Sequence, residues 1–314
     1  MASTNEQAGW LLEQASLIAL KQQAGTISLA RPRQLRSKLA GSYQSKARGR
    51  GMEYAETRHY QPGDDIRSID WRVTARTGKA HTKLFHEERE RPVFFLVDLG
   101  ASMQFGSQWR FKSVQAAHLA SLLAWQACIA GDRIGGLVWN QHSHQELKPR
   151  SRSGAVLQLI HAMVGLNSDG SDSSDAASTS TSQDFNQALS RLRYIVRPGS
   201  QVILISDFHQ LNDEGKRHLS LLSRHNDLIG CEIYDPLELE LPQASFGQSL
   251  AITDGDKEAQ LAIGTKQQRL AHQSHLENAR AMRLARLQQA GCRLFHIGAH
   301  TEISKQWRGQ QHGA

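Results

Sequence analysis

The sequence predicts an α/β protein: a doubly wound, mainly parallel sheet with a charged N-terminal subdomain in front of it. Three observations lead there. From Val93 onward, short apolar runs alternate with helical patterns, as in a parallel sheet with crossover helices. Two of those runs deliver an aspartate directly after their last apolar residue, Asp98 and Asp207. Ahead of them, residues 51–91 form a dense block of alternating charge.

Residues 9–21 carry Trp10, Leu11, Leu12, Ile18 and Leu20, the spacing of a short amphipathic helix. A basic linker completes residues 1–50, with Arg31, Arg33, Arg36, Lys38, Lys46, Arg48 and Arg50 and almost no acid. Such a stretch attracts nucleic acid, anionic lipid or an acidic protein face. No aromatics are interleaved to stack bases, so a solvated arm is the preferred reading and nucleic acid is not the expected partner.

The sheet domain is expected over residues 92–314. Residues 93–97 are continuously apolar, as in a strand covered on both faces. A helix is expected over 109–130, a turn at Gly131-Asp132, a strand over 133–139, a polar loop around His142 and His144, and a helix over 155–164. Residues 167–184 are almost wholly Ser, Asp, Thr, Gly and Ala, the composition of a mobile loop. Helix follows over 185–196, ended by Pro198-Gly199, then strand at 202–205, helix at 211–225 and strand at 228–234. Residues 249–253 read as an edge strand turning at Asp254-Gly255. A long helix over 267–290 and a last strand at 292–297 complete the pattern.

Composition bounds the function. Among 314 residues, 39% are hydrophobic and 21% charged, which fits a globular chain rather than a disordered one. No apolar run approaches the roughly 20 residues of a membrane span, and Glu6 and Glu13 interrupt any signal-peptide pattern, so a cytoplasmic location is expected. Cys128, Cys231 and Cys292 are far apart in apolar surroundings and read as small core residues. No Gly-x-Gly-x-x-Gly or Walker motif follows a strand, so no nucleotide is expected.

Asp98-x-Gly100-x-Ser102 is a loop of short residues at a strand end, and Asp207 stands after a second strand. Hard oxygen ligands placed this way suit Mg²⁺ or Mn²⁺. These residues resemble the metal-ion-dependent adhesion site of the von Willebrand factor A fold, which reads Asp-x-Ser-x-Ser, a threonine from a later loop and a further aspartate. Asp98, Ser102 and Asp207 match it, Gly100 replaces the first serine, and Gln183 stands in the threonine place, where Thr181 or Ser182 would serve only from an inward loop. The resemblance implies a degenerate site holding Mg²⁺ or Mn²⁺ weakly. The competing reading is a pair of strand-end residues that bind loop backbone.

In the charged block, Gln61-Pro62-Gly63-Asp64 is a turn signal. Arg58, Asp64, Asp65, Arg67, Asp70, Arg72 and Arg76 surround it, with Trp71 among them, and predict an arginine–carboxylate network that is either structural or partner-binding. The string Arg58-x-Tyr60-x-x-Gly63-Asp64-Asp65-x-Arg67-x-Ile69-Asp70-Trp71, the Asp98 loop and the segment from Arg224 to Glu238 together resemble the bacterial "domain of unknown function 58" family. That resemblance implies a von Willebrand A-like adaptor working with a MoxR-type AAA+ ATPase on a client protein, without known catalytic activity. Two alternatives stand beside it: a metal-dependent hydrolase using Asp64, Asp65 and Asp70, and a binder of nucleic acid or anionic surfaces through Arg31–Arg50.

Overall fold

The computed structural model describes residues 11–27, 52–87, 91–169, 184–239, 249–253, 258–262 and 266–310. The basic stretch 31–50 and residues 170–183 of the Ser-rich segment lie outside them. The chain forms two units, residues 30–90 and residues 1–29 with 91–314. In chain order the helices and strands are α1 (Gln14–Ala19), β1 (Met52–His59), α2 (Trp71–Thr77), β2 (His81–Glu87), β3 (Pro92–Asp98), α3 (Lys112–Ile129), β4 (Arg133–Trp139), β5 (His144–Arg150) and α4 (Ser153–Asp169). There follow α5 (Phe185–Ile195), β6 (Gln201–Ser206), α6 (Asp213–Ser223), β7 (Asp227–Tyr234), β8 (Ser249–Thr253), β9 (Glu258–Ala262), α7 (Lys266–Gln289), β10 (Cys292–Gly298) and α8 (Ile303–Gln310).

The central sheet has the order β10-β7-β6-β3-β4-β5. Every pairing is parallel except β4 with β5, so the architecture is mixed α/β with a mostly parallel sheet and helices on both faces. The strand period of two sorts the side chains of β3. Val93, Phe95 and Val97 enter one core with residues of α1, α3, α4 and α8, while Phe94 and Leu96 enter another with α5, α6 and α7. Both faces are therefore sealed, which is why β3 reads as an unbroken apolar run. In β4, a Cβ at Gly136 would lie 2.2 Å from the carbonyl oxygen of Phe95, so only glycine permits this strand pairing.

Three expectations change. The N-terminal helix, expected in a segment apart, belongs to the sheet unit: Leu17, Ala24 and Ile27 are buried in its core, and the Trp125 indole donates to the Leu17 carbonyl at 3.3 Å. The polar loop expected at His144 is instead an antiparallel edge strand. Its Lys148, Pro149 and Arg150 blunt that edge against further pairing, while Leu147 packs on the core. Residues 249–253 do not edge the main sheet but pair with β9 in a separate two-stranded ribbon.

The smaller unit is a β1–β2 antiparallel hairpin enclosing a short 3-10 turn at Ile66–Ser68 and helix α2. Asp70 caps α2 by accepting from the amides of Arg72 and Val73, at 3.1 and 3.2 Å. Gly78, at φ 70, ends the helix in the left-handed conformation that glycine adopts without strain.

Candidate functional site

β3 and β6 are parallel neighbours with Val97 opposite Ile205, so the next residues, Asp98 and Ser206, meet at the carboxyl edge of the sheet. Ser206 Oγ donates to Asp98 Oδ2 at 2.5 Å, and the Gly100 amide donates to Asp98 Oδ1 at 2.8 Å. The chain then turns sharply. Ser206 Oγ accepts the Phe208 amide and Asp207 Oδ1 accepts the His209 amide, each at 3.0 Å. Two successive side-chain caps of this kind hold Phe208 at φ 56, a left-handed conformation that costs a bulky residue on the order of 1–2 kcal/mol.

Lys112, the first residue of α3, reaches this edge and is 0% exposed. Its ammonium donates to Asp207 Oδ2 at 2.9 Å and to Glu238 Oε1. His209 Nδ1 stands 3.0 Å from Asp207 Oδ2. Glu238 is fixed in turn by a capping box, its Oε2 accepting the Asp235 amide at 3.0 Å. Asp235 accepts from the Ser107 amide at 2.8 Å and its hydroxyl at 2.5 Å. Lys112, His209 and Glu238 are the site residues that the sequence did not single out. The legible signal was a lysine opening an otherwise apolar helix, together with the Asp-Pro-x-Glu cap.

The charges at this edge follow from burial and partners. Burial works to raise Asp207, but the His209 hydrogen bond and the Lys112 charge outweigh it and hold the carboxyl well below the usual range. Burial works to lower Lys112, but Asp207 and Glu238 outweigh it and keep the ammonium charged. Asp98 is pushed up to about 7 by burial and by the neighbouring Asp207 carboxylate, against the pull of Ser206, Gly100 and Lys112.

These donors do not fit a divalent ion as arranged. Each oxygen of Asp98 and Asp207 already accepts a hydrogen bond, and an ammonium stands before Asp207 Oδ2. Ser102, half-buried in the Asp98 loop, bonds neither carboxylate. A Cβ at Gly100 would lie 3.0 Å from the Trp139 ring and 3.1 Å from Asp98 Oδ1, so a serine there would press on both side chains. Thr181, Ser182 and Gln183 lie outside the described residues. Mg²⁺ requires several free oxygen ligands in octahedral array, and Asp98, Ser102 and Asp207 do not offer them.

A second cluster lies one strand further along. Glu232 of β7 accepts from Arg280 at 2.9 and 2.6 Å and sits 2.7 Å from His296 Nδ1, tying α7 and β10 together. Although burial opposes it, these partners hold the Glu232 carboxyl down at about 2.

In the smaller unit the expected arginine–carboxylate network reduces to the Arg58–Asp64 pair, with caps at the other acids. Asp64 accepts the Gln61 amide at 3.0 Å and pairs with Arg58 at 2.7 Å, which together hold its carboxyl below the usual range. Asp65 caps the 3-10 turn through the Arg67 amide at 3.0 Å. Asp70 caps α2, with Lys83 at 3.9 Å, and binds no arginine side chain. Backbone amides thus take the acids, and the guanidinium groups of Arg67, Arg72 and Arg76 bond no described residue. All three are exposed, as are Ile66 at 65% and Trp71 at 66%.

A family model described as "Protein of unknown function DUF58" matches residues 56–283. An uncharacterised protein of Mycobacterium bovis is 30% identical over 218 residues, 69% of this chain and 66% of that protein. An uncharacterised protein of Mycobacterium tuberculosis matches to the same extent. The chain therefore spans just under two thirds of the length of these relatives. The uncharacterised protein YeaD of Bacillus subtilis is 38% identical over 69 residues, 22% of this chain and 17% of its own length.

Among solved structures, an aerotolerance-related membrane protein from Bacteroides fragilis matches with a TM-score of 0.32 at 12% identity, over 64% of this chain and 98% of its own. An uncharacterised membrane-spanning protein from Vibrio fischeri matches with a TM-score of 0.23 at 14% identity, over 69% and 95%. Likenesses this distant carry no argument about mechanism. The cytoplasmic location expected from the sequence is withdrawn; both of these neighbours are described as membrane proteins. No helix among the described residues is long and apolar enough to cross a membrane, which is a fact about helices and not about compartment.

Proposed function

The chain belongs to the DUF58 family, and from that premise we propose that it is a protein-binding module, an adaptor acting with a MoxR-type AAA+ ATPase on a client protein. The observation that carries this reading is the surface of the smaller unit. Ile66 and Trp71 are both two-thirds exposed, and Arg67, Arg72 and Arg76 flank them with guanidinium groups that bond no described residue. Spacing of four residues on α2 sets Arg72 beside Arg76. Tryptophan and arginine are the side chains that most often dominate protein interfaces. Burying an exposed side chain of this size is worth roughly 1.5–3 kcal/mol. The exposed Arg67, Arg72 and Arg76 outnumber the capping acids Asp65 and Asp70, so an acidic partner face would complement this surface.

Binding is favoured over catalysis because Asp64, Asp65 and Asp70 are each engaged separately. Among the described residues, the group of potential metal ligands that does converge is Asp207, His209 and Glu238, and it encloses Lys112. The strand order and the shared edge of Asp98 and Asp207 support reading the sheet unit as von Willebrand A-like.

The reading is tested by calorimetry between this chain and the purified MoxR-type ATPase of the same genome. Wild type should bind, more weakly as salt rises. Trp71→Ala should weaken binding by roughly thirtyfold with a nearly unchanged melting curve, as for an interface anchor that is 66% exposed in the free protein. Absence of wild-type binding, or a Trp71→Ala variant that binds as wild type does, would overturn it.

A further inference from the structure

We propose that Lys112 is the resident cation of the sheet edge: its ammonium occupies the place a divalent ion would take between Asp207 and Glu238, and the edge operates without metal. This inference concerns the sheet unit by itself and stands whether or not the smaller unit binds a partner.

Four observations converge on it. Asp207, His209 and Glu238 offer ligand atoms all within 4.8 Å of one another, close enough to share one ion. The ammonium of Lys112 is hydrogen-bonded to both carboxylates of that group. Its side chain is wholly buried, so it is not a surface lysine that drifted there. It also opens an 18-residue helix, where the macrodipole disfavours a cation. A buried cation at a helix N-terminus persists only if its carboxylate partners outweigh both costs, and two of them do so here. The loop residues agree: Gly100 lacks an oxygen, and a side chain there would press on Trp139.

An ammonium differs from Mg²⁺ in ways that matter. It carries one charge instead of two, is attached covalently through its stem, and cannot be removed by a chelator. It neutralises Asp207 and not the second strand-end carboxylate, which fits Asp98 being bound by a hydroxyl and an amide alone. Of the groups around the ammonium, His209 at 37% and Glu238 at 24% exposure are the ones solvent reaches.

Mn²⁺ is the probe, read by electron paramagnetic resonance and by melting temperature. Wild type should bind no Mn²⁺ at this edge and should melt at the same temperature in chelator and in excess Mg²⁺. Lys112→Ala should melt lower in chelator, recover part of the loss with Mn²⁺, and bind Mn²⁺ at this edge where wild type does not, because a vacated site lined by carboxylates gains a divalent ion's attraction. Adding Asp207→Asn to Lys112→Ala should abolish that gain. A folded Lys112→Ala with no gain would overturn the proposal. If Lys112→Ala does not fold, wild type decides it: NMR signals of Ser206, Asp207 and His209 should keep their intensity when Mn²⁺ is added. Selective broadening of those signals by Mn²⁺ would show a metal there and overturn it.

Discussion

Asp207→Ala is expected to lower stability by about 3–5 kcal/mol, because it removes one partner of a fully buried ion pair and leaves the other behind. Lys112 would keep only Glu238, which is partly exposed and screened by water. The loss does not stop at charge. Asp207 Oδ1 also accepts the His209 amide, one of two bonds that hold Phe208 in its left-handed turn. Urea unfolding should show a lower midpoint with an unchanged slope, the mark of a native-state loss in a chain that still unfolds cooperatively. Glu238→Ala should cost less, since that carboxylate retains access to solvent. A loss below about 1 kcal/mol for Asp207→Ala would mean that Lys112 finds water or another acceptor once its partner is gone.

The second large effect runs in the opposite direction. Asp98→Asn should stabilise the protein at pH 8 by roughly 1–3 kcal/mol. The sign follows from where each state loses its proton. An unfolded aspartate titrates near pH 3.9, whereas Asp98 in the fold holds its proton until about 7. Between these values the folded state binds more protons than the unfolded one, so stability falls as pH rises through that window. Above 7 the full penalty of a buried carboxylate beside Asp207 is present. Asparagine has no charge to lose, and its carbonyl oxygen can still accept the Gly100 amide. The variant's stability should therefore rise relative to wild type between about pH 4 and pH 7 and remain higher above it. Thermal unfolding across this range measures it. A variant less stable than wild type at pH 8 would show that the Asp98 charge is used and not merely tolerated.

The five parallel strands were legible because strands buried on both faces carry little but apolar side chains, as β3 does from Val93 to Val97. β5 was not, because a half-buried edge strand ending in Lys148, Pro149 and Arg150 looks like a polar loop until its partner is known. Asp98 and Asp207 could be found, since a strand end fixes where its next residue stands. Lys112 could not be paired with them: helical periodicity places it at the head of α3 but carries no information on which loop it faces. The charged block misled for a related reason. Alternating signs display every possible salt bridge, whereas backbone amides of a 3-10 turn and a short helix compete for the same carboxylates. Asp65 and Asp70 went to those amides, and the arginines were left outward. The caps at Asp65 and Asp70 have the ordinary spacing of Asx caps, so this outcome was readable in principle.

Whether Lys112 is the cation of this edge is read most directly from crystals grown in Mn²⁺ and measured for anomalous scattering. The expected map has no peak between Asp207 and Glu238, with the Lys112 ammonium in density bridging the two carboxylates. A strong anomalous peak there, with the Lys112 side chain withdrawn, would contradict it.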